Sequence, residues 1–459
     1  MLGYPRIKSG VTQATYIDCA NTRLPLCCAG LIPELRVKPT TLAEWLDYQQ
    51  RVHALGVDLG LDRVRAVWQR MGAPEIARRV ITVGGTNGKG STVAFLEAML
   101  AAAGQRVGSY TSPHLLRYNE RVRIAGLDVD DIDLIESFER IELARGDISL
   151  TYFEFGTLAA LDLFARADLD TAVLEVGLGG RLDAVNIIDA NAVIITTVDL
   201  DHVEWLGPDR DGIGREKAGI ARRDRPAIVG ESEPPKGLLD VLAERGAHIE
   251  RAGHDFYVER EVHRWRWHHR DGTVLTLPAP ELAAPVQYAN ASSAIAALHA
   301  LQAVNPVELE RIASVGMHFP RAPARLQSLG GDPALIVDVG HNPQAARALA
   351  DWLDAQPGGR VHAVYGALSD KDVGGVMAAL GSRITHWHLA SLDQDTPRGL
   401  SASVLAGVLH QVLPRAGFDT HDNVPKALAA ARASARHGER ILAFGSFFVA
   451  SAVLVDAST

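Results

Sequence analysis

A chain of 459 residues exceeds what one ordinary hydrophobic core organises, so two or three domains are expected. With 47% hydrophobic and 22% charged residues it reads as globular, and a formal net charge of -9 gives no electrostatic ground for nucleic acid, whose binding draws on clustered lysine and arginine. The only three cysteines, Cys19, Cys27 and Cys28, lie near the start, so no disulfide framework spans the body; no apolar run approaches the ~20 residues that cross a bilayer, and a reducing cytoplasm without membrane attachment is expected.

Residues 1–40 mix proline, glycine, cysteine and scattered charge with neither a helical nor a strand period. They are expected to be a disordered or spurious arm rather than a metal site made from the three cysteines. A helical pattern opens at Thr41, and from Arg79 the run RVITVGG reads as a β-branched strand. A glycine-rich turn and an apolar helix over 91–103 follow. Strands are predicted at 106–110, 172–176, 192–198 and 227–229, with helices near 131–142 and 157–166; this alternation argues for a mainly parallel sheet covered on both faces.

Residues 262–278 alternate around Trp265 and Trp267 and turn at Asp271 and Gly272, the pattern of a half-exposed β-hairpin with its tryptophans on one face. His268 and His269 are adjacent, so on a strand they point to opposite faces and share no metal. A helix over 289–303 and a proline-rich joint over 319–323 precede a second alternating series, with strands at 334–339, 361–365, 385–389 and 441–444 and helices from Pro343, Val373, Ala402 and Val424. The expected fold is α/β: the arm 1–40, a P-loop-type, mainly parallel sheet domain over 41–319 with the hairpin inserted, and a smaller Rossmann-like domain over 320–459.

The strongest chemical signal is Gly84-Gly85-Thr86-Asn87-Gly88-Lys89-Gly90-Ser91 between a strand and a helix. Glycines let backbone N–H groups converge on phosphate oxygens, the helix N-terminus adds partial positive charge, and Lys89 reaches the terminal phosphates. Val83 and Gly90 break the strict Walker spacing, so the pattern is compressed.

The run GTNGKGS resembles the nucleotide loop of the Mur ligase superfamily. Ser112-Pro113-His114-Leu115, Arg117 to Arg123 (RYNERVR), Thr151-Tyr152-Phe153-Glu154, Glu175 to Ala184 (EVGLGGRLDA), and Asp201-His202 resemble its folate branch, and the likeness runs from about Thr41 to near the C-terminus. The resemblance implies ATP and Mg²⁺ as cofactors. It places Thr86, Asn87, Gly88, Lys89, Asn290, Arg325 and Asp338 at ATP, with Arg325 on phosphate and Asp338 near the ribose. Ser112, Glu175 and His202 would hold magnesium; the first two are hard oxygen donors, whereas a histidine is softer than Mg²⁺ usually prefers. Read alone, His202 would be a hydrogen-bonded core histidine; its place after the strand ending at Val198, next to Asp201, favours ligation. Lys217 matches a lysine that many members carbamylate, and read alone it is a surface lysine. Asp338, Asn342 and Pro343 also fit simple helix capping.

Lys89, Lys217 and His202 are thus the catalytic candidates. The segments at His53, Thr151, Tyr152, Phe153, Glu154, Leu182, Asp183 and Ala184 resemble pterin-binding positions, which implies dihydropteroate and reduced folates as acceptors for L-glutamate in a bifunctional, monomeric enzyme. Its chemistry would run through an acyl phosphate made with the γ-phosphoryl group of ATP. Three other readings stay open: a monofunctional folylpolyglutamate synthase, a cell-wall Mur ligase, and a nucleotide-hydrolysing switch.

Overall fold

The apolar run before the glycine loop forms the strand Arg79–Gly84, of which five residues are buried. A strand buried on both faces needs paired edges and covering layers, and the computed structural model, which describes residues 38–261 and 264–458, supplies both. Numbered along the chain, the strands are β1 (Arg79–Gly84), β2 (Val107–Tyr110), β3 (Val122–Ile124), β4 (Leu127–Asp128), β5 (Thr171–Glu175), β6 (Ala192–Ile195), β7 (Pro226–Val229), β8 (His248–Arg251), β9 (Phe256–Arg260), β10 (Arg264–His269), β11 (Val274–Pro278), β12 (Gln327–Ser328), β13 (Ala334–Val337), β14 (Val361–Tyr365), β15 (His386–Ala390), β16 (Gly417–His421) and β17 (Arg440–Phe444).

The first eight form one sheet in the order β4-β3-β2-β5-β1-β6-β7-β8. It is parallel from β2 to β8, and β3 and β4 add an antiparallel edge. Alternate residues of β1 serve two cores. Ile81 and Val83 meet the helices Lys89–Ala102, Gln287–Ala300 and Pro306–His318; Val80 belongs to the core made with the helices Asp131–Arg145 and Tyr152–Ala165. The last six strands form a second sheet, β12-β13-β17-β14-β15-β16, parallel except for β12. The helices Pro343–Asp354, Val373–Leu380 and Ala402–Val412 cover one of its faces, and Val424–Ser434 and Phe447–Ser458 the other.

Several expectations change. The helix predicted from residue 157 starts at Tyr152, because Thr151 and Glu154 form a capping box; it is buried on all sides, so no amphipathic stripe marks its first turn. The hairpin is the outer part of a three-stranded sheet in which β9 pairs with β10; it is half exposed as expected, and both tryptophans lie on its fully buried face. Strand β16 is mostly exposed, with no apolar alternation to reveal it. The expected arm lies almost wholly outside the described residues, as do Cys19, Cys27 and Cys28. Among the described residues no helix is long and apolar enough to cross a membrane.

Candidate active site

The glycine loop turns through backbone conformations that side chains rarely adopt, with φ of 144° at Gly85 and 85° at Gly88. A Cβ on Gly85 would collide with the Thr196 hydroxyl beyond β6, and one on Gly88 with the Asn290 carboxamide, so the loop lies flush against both. Gly88 starts the helix Lys89–Ala102 without a capping side chain, which leaves the first-turn N–H groups to a ligand. Lys89 Nζ folds back over the loop and donates to Gly85 O and Thr86 O, each at 3.1 Å. Burial lowers its pKa, opposed by the nearby Glu175 and Asp201 carboxylates.

The loop floors a cavity of about 300 Å³ whose walls include Ser112, Glu175, His202, Lys217, Asn290, Arg325 and Asp338. Glu175 ends β5, buried; burial raises its pKa while Lys89 lowers it, and its Oε2 accepts from Ser112 N at 3.2 Å. The Ser112–Pro113 peptide is cis. His202 has a left-handed backbone, φ 51°, and burial takes its pKa down to about 4 despite Asp201, so the ring is neutral and keeps a lone pair for coordination. Its Nε2 lies 3.5 Å from Lys371 Nζ, and the same ammonium donates to Asp201 Oδ1 at 2.7 Å. Although burial opposes it, the hydrogen bond from His341 and the Lys371 charge hold Asp201 well below the usual carboxylate range. Lys217 is buried, not a surface lysine, and burial takes its pKa down to about 7, helped by the Lys89 charge.

The remaining wall comes from beyond the proline joint. Arg325 sits between two residues with positive φ, Ala324 at 53° and Leu326 at 47°; its guanidinium donates to Pro323 O and Ala324 O and stands 5.6 Å over the Phe447 ring. Asp338, one residue beyond β13, accepts from Leu326 N at 2.8 Å and Gly340 N at 2.6 Å, so it fixes the Arg325 segment. Asn342 caps the helix Pro343–Asp354 and also exchanges hydrogen bonds with Asn87, both at 3.0 Å; capping and site contact coincide.

A larger cavity, about 680 Å³, shares Gly90, Ser112, Glu175, Arg325 and Phe447 with the first and adds Glu120, Arg123, Arg321 and Gln327. The expected acceptor residues line neither cavity. Thr151 and Glu154 cap their helix, Asp183 accepts from Leu178 N and Val185 N, and Phe153 packs on Gly177. Burial raises the pKa of Asp183 to about 6. His53 contacts Asp58, which pairs with Arg63, which reaches Glu154 at 3.2 Å, so the four are linked side chain to side chain. Sequence reasoning missed Lys371, Gln344 and Gln287. The last two bond Asn87 and Ser91, and no motif marks any of the three.

Residues 83–248 match the Mur ligase middle domain and residues 324–447 the Mur ligase glutamate ligase domain. The chain is 46% identical to the dihydrofolate synthase/folylpolyglutamate synthase of Escherichia coli over 90% of its own length and 94% of that protein's. The structure of E. coli FolC in complex with DHPP and ADP superposes with a TM-score of 0.85 at 45% identity, covering 91% of this chain and 98% of that one. A bifunctional folylpolyglutamate synthase/dihydrofolate synthase with Mn, AMPPNP and L-glutamate bound gives 0.84 at 43% identity, covering 92% and 100%. This chain therefore belongs to the Mur ligase family, in its dihydrofolate synthase/folylpolyglutamate synthase branch.

Proposed function

We propose that the chain joins L-glutamate to dihydropteroate, giving dihydrofolate, and to reduced folates, in an ATP- and Mg²⁺-dependent reaction. The observation that carries this is the common wall of the two cavities: Ser112, Glu175 and Arg325 face both the phosphate loop and the larger space. A carboxylate in the larger space meets the γ-phosphate there. Its oxygen attacks phosphorus, ADP leaves, and the acyl phosphate forms; the glutamate amine then attacks the carbonyl carbon, loses a proton, and expels phosphate. Lys89 and Arg325 neutralise the phosphoryl oxygens, work done by positioning and charge. The Ser112 hydroxyl, the Glu175 carboxylate and the neutral His202 ring are donors suited to a divalent cation, which when bound would draw charge from the phosphates. A lysine with a pKa near 7 supplies the uncharged amine that carbamylation of Lys217 requires.

The acceptor assignment rests on the relatives: FolC is described with DHPP, and the second structure with L-glutamate. In this reading His53, Thr151 to Glu154 and Leu182 to Ala184 shape the pterin end, with Thr151, Glu154 and Asp183 holding the segments through backbone hydrogen bonds. Two domains meet near Pro320, and the enzyme is a cytoplasmic monomer that does not bind nucleic acid. Purified protein given ATP, Mg²⁺ and L-glutamate, with dihydropteroate and a tetrahydrofolate offered separately, should yield products one glutamyl unit heavier by mass. Product from the folate alone would make it monofunctional, and product from neither would overturn the proposal.

A further inference from the structure

Away from the nucleotide cavity, the second sheet carries histidines that take no part in this chemistry. His386 and His388 are two apart on β15 and so share a face; His362 on β14 is opposite His386, and Asp419 on β16 is opposite His388, which brings both to that face. His386 Nε2 lies 2.9 Å from Asp419 Oδ2, and the His386 and His388 ring centroids are 4.9 Å apart. His388 has no exposed surface, and its Nδ1 is buried without a hydrogen-bond partner. An unmade bond of this kind costs about 1–3 kcal/mol.

The partners of His388 fix what that nitrogen offers. Glu439 Oε2 stands 3.2 Å from His362 Nε2, and a carboxylate only accepts, so the neutral form of His362 carries its one ring proton on Nε2. His362 Nδ1 is then an acceptor, and His388 Nε2, at 3.3 Å, must donate to it. That leaves Nδ1 of His388 with a bare lone pair. Glu439 thus orients the ligating His388 through His362, one step further out than the carboxylate that usually stands behind a ligating imidazole.

We propose that His386, His388 through Nδ1, and Asp419 form a binding site for a first-row divalent transition metal such as Zn²⁺. Two imidazoles and one carboxylate suit zinc, nickel or cobalt rather than magnesium, so the site is chemically distinct from the nucleotide cavity. Candidate ligand atoms of the three residues lie within 4.8 Å of one another, and a tetrahedral ion with ordinary bonds holds its ligands about 3.3 Å apart, a closure that side-chain rotation achieves. Asp419 is exposed on the edge strand, so an ion arrives from solvent, and once bound it ties β16 to β15.

Full-length protein stripped with EDTA and titrated with Zn²⁺ against a chromophoric chelator tests this, with Co²⁺ absorption as a second readout. The wild type should take up one ion per chain, with a nitrogen- and oxygen-ligated Co²⁺ spectrum lacking thiolate charge-transfer bands. His388→Ala risks the fold, so the deciding variants are His386→Gln and Asp419→Asn, whose side chains reach solvent; each should weaken binding more than tenfold. Glu439→Gln should weaken it less than either ligand variant, because Glu439 acts only through the tautomer of His362. No stoichiometric uptake by the wild type, or undiminished uptake by both ligand variants, overturns the proposal.

Discussion

At the residue scale, Lys217 has the most easily measured consequence. An unfolded lysine titrates near 10.4, whereas in the fold burial takes Lys217 down to about 7. Between those two pH values the unfolded chain holds a proton that the native one lacks, so stability rises with pH across the window, and below pH 7 the penalty is constant. Lys217→Met keeps the length without the charge, so urea midpoints of the variant should rise less than the wild type's between pH 7 and pH 10; parallel slopes would show that Lys217 is not the group. Residues are legible in sequence when their chemistry is local. Glu175 ends a strand, Ser112 lies just beyond one and Lys89 opens the helix after the glycine loop, each within a run that announces its task. Lys371 does not: it follows an ordinary Ser-Asp pair, and only the return of the second sheet brings its ammonium to Asp201 and His202.

Among elements, the helix after the phosphate loop is held to the sheet edge by one buried ion pair. Arg123 on β3 donates to both Glu97 oxygens, at 2.6 Å for its closest contact, and Ser109 on β2 donates to the same carboxylate. Both charged side chains are about nine-tenths buried. Removing one partner strands the other, so Arg123→Ala should destabilise the fold by about 3–5 kcal/mol, read from denaturant unfolding; a cost below about 1 kcal/mol would mean that water reaches Glu97. The central elements were readable because β1, β5 and β6 are continuous apolar runs between turns. The edges were not. Strand β9 has only one fully buried residue, and β16 is held by pairing to β15 rather than by a side-chain pattern, so long-range partnership defines both.

For the whole molecule, the question is which contacts couple the two sheets around the nucleotide. Among the described residues the links that cross include Asn87 to Asn342 and Gln344, Thr197 to Gln344, Asp199 to Arg347, Asp128 to Arg321, and Asp201 to His341, Asn342 and Lys371. Burial separates them in strength. Arg347 and Arg321 are half exposed, and such pairs contribute about 0–1 kcal/mol. Lys371 and Asp201 are only 6% and 10% exposed, and Asp201 also accepts from Asn342. Lys371→Met leaves that carboxylate buried with its main counter-charge gone, and should cost about 3–5 kcal/mol, whereas Arg347→Ala should stay within about 1 kcal/mol. A ligand that spans both sheets adds a second readout: a non-hydrolysable ATP analogue with Mg²⁺ at a hundredfold excess over Kd stabilises the wild type by about 2.7 kcal/mol. At the same concentrations Arg347→Ala should keep that gain and Lys371→Met should lose most of it, because Asp201 and His202 line the nucleotide cavity and the Lys371 ammonium contacts both. Equal gains in both variants would mean that the nucleotide is held by the phosphate loop alone, and that the contacts across the cleft shape the fold without shaping the site.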